Sequence, residues 1–199
     1  MNRLKRQLLF VFVSGVLSSC IQRPSLDNYI SEYYNLDSLI TVQVKSLTLS
    51  NPTLHKSAQI DESSEEKRFQ LDSVGWAREL LIFREADINK PAYSKAYETL
   101  NGLIDVGSNL HYDEYKPFAG DMSVRYIRIY YLDEIRKIKK IAIHKKEDNE
   151  LFFSSLTMEM HFKGNGTEML LDAYRINGIQ KLWLKDTVFY SVAVDIDYE

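Results

Sequence analysis

The chain has 199 residues, with 25 basic and 28 acidic side chains and a formal net charge of −3. A mildly acidic chain lacks the electrostatic footprint that a polyanion needs, so nucleic acid is not an expected partner. The single cysteine, Cys20, excludes a disulfide within the chain, and stability has to come from packing.

The first elements lie at the N-terminus. Arg3, Lys5 and Arg6 precede an uncharged apolar run over residues 8–13, and Ser14-Gly15-Val16-Leu17 follows it. A basic start, a short apolar centre and a small-residue end make a secretory signal. The uncharged stretch over residues 7–22 is too short and too diluted by serine for a span, which needs about 20 apolar residues. Leu17-Ser18-Ser19-Cys20 resembles the lipobox of bacterial lipoproteins. That resemblance implies cleavage before Cys20, acylation of its sulfur, and a membrane as the chain's first partner. It also suggests an address. There is no acidic run after Cys20 and no Asp at position 21, which by analogy with the family favours the inner leaflet of an outer membrane, facing the periplasm.

The expected organisation is a signal peptide over 1–19, an acylated tether over 20–25 and one domain over 26–199. The signal holds three basic residues and no acidic one, so the mature chain carries a net charge of −6. A tether this short reaches at most about 17 Å, which keeps the domain close to the bilayer.

Leu26, Tyr29, Ile30, Tyr33 and Ile40 fall near helical spacing and predict a helix over 26–40, capped by Ser25. Val42, Val44, Leu47 and Leu49 fit either a continuation or a strand, and Asn51-Pro52 ends whichever forms. Leu54, Lys56, Ala58 and Ile60 alternate with polar neighbours and, with residues 67–71, predict a hairpin whose tip carries an acidic cluster. That cluster lacks the spacing of a calcium loop, and a solvated tip is the preferred reading. Asp72 or Ser73 caps a second helix over 73–86, with Val74, Ala77, Leu80, Leu81 and Phe83 on its buried side.

Glu85-Ala86-Asp87-Ile88-Asn89-Lys90-Pro91-Ala92 should turn a corner. Pro91 forces Lys90 out of helical geometry, and Asp87 and Asn89 bond nearby backbone. Following a Trp-Ala-Arg-Glu-Leu helix, the Ala-Asp-Ile-Asn-Lys-Pro run resembles a group of Bacteroidetes lipoproteins with a strand-rich second half. The resemblance implies no activity.

From residue 93 onward, turn residues punctuate apolar alternation at short intervals. Leu156, Met158, Met160 and Phe162 alternate with polar residues, as do Val188, Tyr190, Val192, Val194 and Ile196. Val124 and Tyr126 give way to Ile127 and Ile129, the signature of a bulge or of a strand covered on both faces. The expected fold class is α+β: a curved antiparallel meander of six or seven strands over 93–199, with the N-terminal helices packed on it.

No catalytic motif, phosphate loop or metal-ligand spacing occurs, so no catalytic residue, metal ligand or cofactor is assigned. His111-Tyr112-Asp113-Glu114 is the densest group of ligand-type residues, and strand alternation splits it between two faces. Arg125, Arg128, Arg136, Lys137, Lys139, Lys140, Lys145 and Lys146 form a basic band. Arg136, Lys137, Lys139 and Lys140 are its candidates for contact with an anionic surface, although lysines on a solvated strand pair also discourage aggregation. Asp37-Ser38-Leu39, Asp72-Ser73-Val74 and Asp186-Thr187-Val188 resemble a Bacteroidetes O-glycosylation acceptor.

The expected function is that of a non-enzymatic envelope lipoprotein binding a protein, lipid or glycan partner. A structural role in an outer-membrane complex is the second reading, and a hydrolase with dispersed carboxylates the third. A deep apolar cavity would favour the first and an exposed apolar patch the second.

Overall fold

In the computed structural model, which describes residues 32–133, 137–164 and 169–198, the first helix starts later than its periodicity suggests. Helix α1 spans Leu36–Ser50. Asn35 caps it by accepting the Ser38 N–H at 2.7 Å, and Asn51, at φ 44°, closes it with a backbone bond to Leu47. Residues 26–31 of the expected helix lie outside the described residues. Residues 32–35 are not helical, and Val44 and Leu47, ambiguous in period, are.

The reason is Asn89. Its side chain accepts the Tyr33 N–H at 3.0 Å and donates to the carbonyls of Tyr33 and Tyr34 at 3.3 and 3.0 Å. Backbone groups held by a distant side chain are withdrawn from helical bonding. Asp87, buried at the same corner, accepts from the Asn89 amide at 3.2 Å. The corner expected from the Asp-Ile-Asn-Lys-Pro run is therefore a clamp on the incoming chain, and Asp87 acts in it as a structural acceptor.

Strands β1 (Thr53–Ile60) and β2 (Ser63–Phe69) form the expected hairpin. Its acidic residues are exposed and do not converge. Asp72 accepts the Gly75 N–H and opens α2 (Ser73–Glu79), but the helix breaks at Leu80 before α3 (Leu81–Arg84), so the continuous helix over 73–86 does not form. Trp76, Leu80 and Phe83 are fully buried, at i, i+4 and i+7 on one stripe. Val74 and Leu81 fall off that stripe and are exposed, contrary to expectation.

After a 3-10 turn at Pro91–Tyr93 come β3 (Tyr97–Ile104), β4 (His111–Pro117), β5 (Val124–Tyr131), β6 (Ile138–Asp148), β7 (Phe152–Lys163), β8 (Leu170–Leu182) and β9 (Thr187–Asp197). These seven pair consecutively and antiparallel, as a meander should. The sheet nevertheless has nine strands rather than six or seven. Its order is β2-β1-β9-β8-β7-β6-β5-β4-β3, because β1 pairs with β9 from Thr53↔Asp197 to Ile60↔Tyr190. The sheet is open. One edge, β2, is exposed and highly charged; the other, β3, is bent by a bulge at Gly102, φ 66°. Both devices discourage edge pairing.

The helices lie on one face. Beneath them Val194, Tyr174, Met160, Ile141 and Ile129, all buried, run across the strands in register. Phe83 meets the Tyr174 ring edge-on at 5.6 Å. Burying side chains of this size contributes about 1.5–3 kcal/mol each. Two polar contacts position the helices. Gln43 on α1, fully buried, donates to the Met169 carbonyl and accepts the Leu171 N–H, both at 2.8 Å. Glu79 on α2 accepts from the Tyr174 hydroxyl and pairs with Lys56 at 2.5 Å.

Candidate binding face of the sheet

Strand alternation sends every second side chain to the face the helices leave open. On β4, His111 and Asp113 lie on the covered side. Asp113 accepts from the Tyr131 hydroxyl at 2.9 Å and the Gly102 N–H at 2.8 Å. Tyr112 and Glu114 lie on the open side, so the four-residue group splits as its spacing requires.

The open face gathers what no linear motif announces. Glu114 is buried and accepts from Arg128 Nε at 2.6 Å. The Arg128 guanidinium sits 4.4 Å from the Tyr126 ring centroid and 5.5 Å from that of Tyr112. Tyr112 stacks on Tyr130 at 5.0 Å, and Lys140 lies 4.2 Å over Tyr130. Lys140 also pairs with Glu159 at 3.7 Å, and His161 approaches the same carboxylate at 3.4 Å. Tyr126 packs against His144, whose Nε2 lies 3.1 Å from Ser155 Oγ. Burial pushes the Tyr126 phenol up and the His144 imidazole down; Arg125 and Lys146 lower His144 further. Both side chains thus meet solvent as neutral hydrogen-bonding groups near neutral pH. Beyond them, Ser155, Thr157, Asn177 and Ser191 line an open groove of about 330 Å³.

The alignment that builds this network depends on the bulge in β5. Register shifts between Val124 and Tyr126, so of the two readings of the change of alternation there, a bulge or a strand covered on both faces, the bulge forms and Arg125 becomes the extra residue. Tyr126, Arg128 and Tyr130 then share the open face. Sequence reading named Tyr112 and Glu114 as part of a ligand-type cluster, Arg128 as a member of the basic band and Lys140 as a candidate contact with an anionic surface, and it missed Tyr126 and Tyr130. The signal was present as Tyr126-x-Arg128-x-Tyr130, a period-2 row of aromatic and cationic residues.

The basic band does not form one patch. Arg136 and Cys20 lie outside the described residues. Lys137 pairs with Asp133 at 3.5 Å, and Lys139 is the extra residue of a second bulge, opposite Tyr130 and Tyr131. Lys145 lies opposite Leu156 on the helix side, whereas Lys146 lies opposite Ser155 on the open side.

Among the described residues, no group of three or more His, Cys, Asp or Glu side chains converges as a metal site, and no helix is long and apolar enough to cross a membrane. No family model, curated protein or solved structure matches the chain.

Proposed function

We propose that the chain is a membrane-anchored lipoprotein of the cell envelope, held by acylated Cys20 in the outer membrane and facing the periplasm, that binds a glycan across the open face of its sheet. The observation that carries this reading is the network of Tyr112, Tyr126 and Tyr130 with Arg128, Lys140 and Glu114. It lies on the face that no helix of the described residues covers, with Tyr130 and Glu114 buried within it, and each member is fixed by a neighbour. Side chains ordered before binding lose little entropy on contact. Aromatic rings next to guanidinium and carboxylate groups match the apolar faces and hydroxyl rims of sugar rings.

The grooves beside Asn177 and beside His55 are open rather than deep and apolar, so this reading rests on recognition at the surface and not on an enclosed ligand. Glu114 and Glu159 are each engaged by a cation, an arrangement suited to positioning rather than to hydrolysis. The alternative, a structural component of an outer-membrane complex, is the reading that an exposed apolar patch favours, and Leu151, Trp183 and Leu184 are exposed at one end of the sheet.

Titration of the detergent-solubilised chain with envelope polysaccharides and peptidoglycan fragments tests the reading. Replacing Tyr126 and Arg128 together by Ala should weaken binding about tenfold or more, with unchanged circular dichroism. Wild-type protein that binds no glycan, or a double variant that binds as well, would remove the proposal.

A further inference from the structure

The β6–β7 and β8–β9 turns project from one end of the sheet and are joined by a bond from the Trp183 N–H to the Leu151 carbonyl at 2.8 Å. At these tips Leu151, Leu182, Trp183 and Leu184 are 62, 46, 67 and 85% exposed. An apolar cluster of this kind on a protein surface marks a contact with another apolar body. Leu184 adds a second sign. It adopts φ 61°, a left-handed conformation that a glycine or asparagine would take with less strain. At that strained backbone position the chain carries an apolar side chain that the fold does not bury.

The position of the chain's start identifies what covers this cluster. Because the strands alternate in direction, the beginning of β3 lies at the same end of the sheet as the β6–β7 and β8–β9 tips. The first described residue is held there: the Glu32 carboxylate accepts the Lys95 N–H at 2.9 Å and the Ser94 hydroxyl at 3.3 Å. Phe118, 70% exposed, lies at this end as well, its N–H bonded to the Ala96 carbonyl. Eleven residues lie between Cys20 and Glu32, and the twelve steps of chain that join them reach about 40 Å at most. Five strand spacings separate β3 from β8, about 24 Å. An acyl chain on Cys20 and the tips can therefore meet one surface together.

We infer that the tips formed by Leu151, Trp183 and Leu184 insert into the interfacial layer of the phospholipid bilayer that carries the anchor, giving the domain a second membrane contact and a set orientation. Tryptophan and leucine suit that layer, where one side of a ring is apolar and the other wet. The segments 145–150 and 181–186 carry four lysines and four carboxylates, so the contact is apolar rather than electrostatic and needs no anionic lipid.

The inference rests on the lipoprotein reading, and its test keeps the two apart. The chain has two tryptophans, of which Trp76 is fully buried and Trp183 exposed. Full-length protein purified from its native membrane is reconstituted into phosphatidylcholine vesicles whose acyl chains are brominated near the headgroup. Trp183 emission should shift to the blue and be largely quenched, and Trp183→Phe should remove the quenched component. Mass spectrometry of the same material reports the state of Cys20. An acylated chain with unquenched Trp183 overturns the membrane contact and leaves the anchor standing. A free thiol with quenched Trp183 supports the contact and overturns the anchor. In the mature chain beginning at residue 20 and carrying Cys20→Ser, adding Trp183→Ser and Leu184→Ser should lower vesicle partitioning about tenfold or more. Equal partitioning, or a blue shift that follows protein concentration without lipid, assigns the tips to another copy of the chain and overturns the inference.

Discussion

Gln43 shows how much one side chain decides in this fold. Helix periodicity places it on the stripe with Leu36, Ile40 and Leu47, where a polar residue looks misplaced. Its amide instead takes the part of a missing strand, filling one acceptor and one donor on the backbone at the start of β8. Removing it leaves the Met169 carbonyl and the buried Leu171 N–H without that partner. Gln43→Leu should therefore cost about 1–3 kcal/mol despite its added apolar surface, read as a lower urea midpoint at unchanged slope. Gly178 is a second case. A Cβ there would fall 2.2 Å from the Tyr190 ring, so the aromatic neighbour, rather than any turn, demands glycine in the middle of β8.

At the scale of elements, the two faces of the sheet carry different chemistry. The covered face is apolar and was legible as alternation: Leu156, Met158 and Met160, and Val194 and Ile196, are buried as their spacing predicts. The open face is a lattice of cross-strand pairs, and one of them should respond to pH. His144 on β6 meets Ser155 on β7, and burial together with Arg125 and Lys146 lowers its pKa below the usual 6.5. The unfolded chain then binds a proton at a pH where the folded chain does not. Stability from this group is present above pH 6.5 and is lost as pH falls through and below that value. His144→Gln should flatten that part of the stability profile, measured as the difference from wild type in thermal unfolding between neutral and mildly acidic pH. His55, His111 and His161 remain in both proteins and cancel from the comparison. An identical acid slope in wild type and variant would show that another group carries the effect. The helices, in contrast, were legible mainly at their ends. Asn51 and Asp72 act as the boundaries that they resemble, whereas the start of α1 was misread because Asn89, more than fifty residues away, removes residues 33–34 from it.

For the whole molecule, location precedes recognition in the proposed function. An acylated Cys20 would confine the domain to a membrane, and acyl chains together with inserted tips would hold it more firmly than either alone. Cys20→Ala should leave an uncleaved precursor or a chain that no longer sediments with membranes; a variant that is cleaved and membrane-bound as wild type would count against the anchor. By itself, the amino-acid sequence determined the antiparallel alternation, the β1–β2 hairpin, the corner at Pro91 and the helix boundaries at Asn51 and Asp72. Each of these depends on residues a few positions apart, and steric and hydrogen-bonding preferences act at that range. Only the tertiary structure decided that β1 joins β9, that Gln43 completes β8, and that Tyr112, Tyr126, Tyr130, Arg128, Lys140 and Glu114 stand together on the face opposite the described helices. Strand pairing closes long loops and is selected by the summed fit of whole faces, a quantity that no local window of the chain contains.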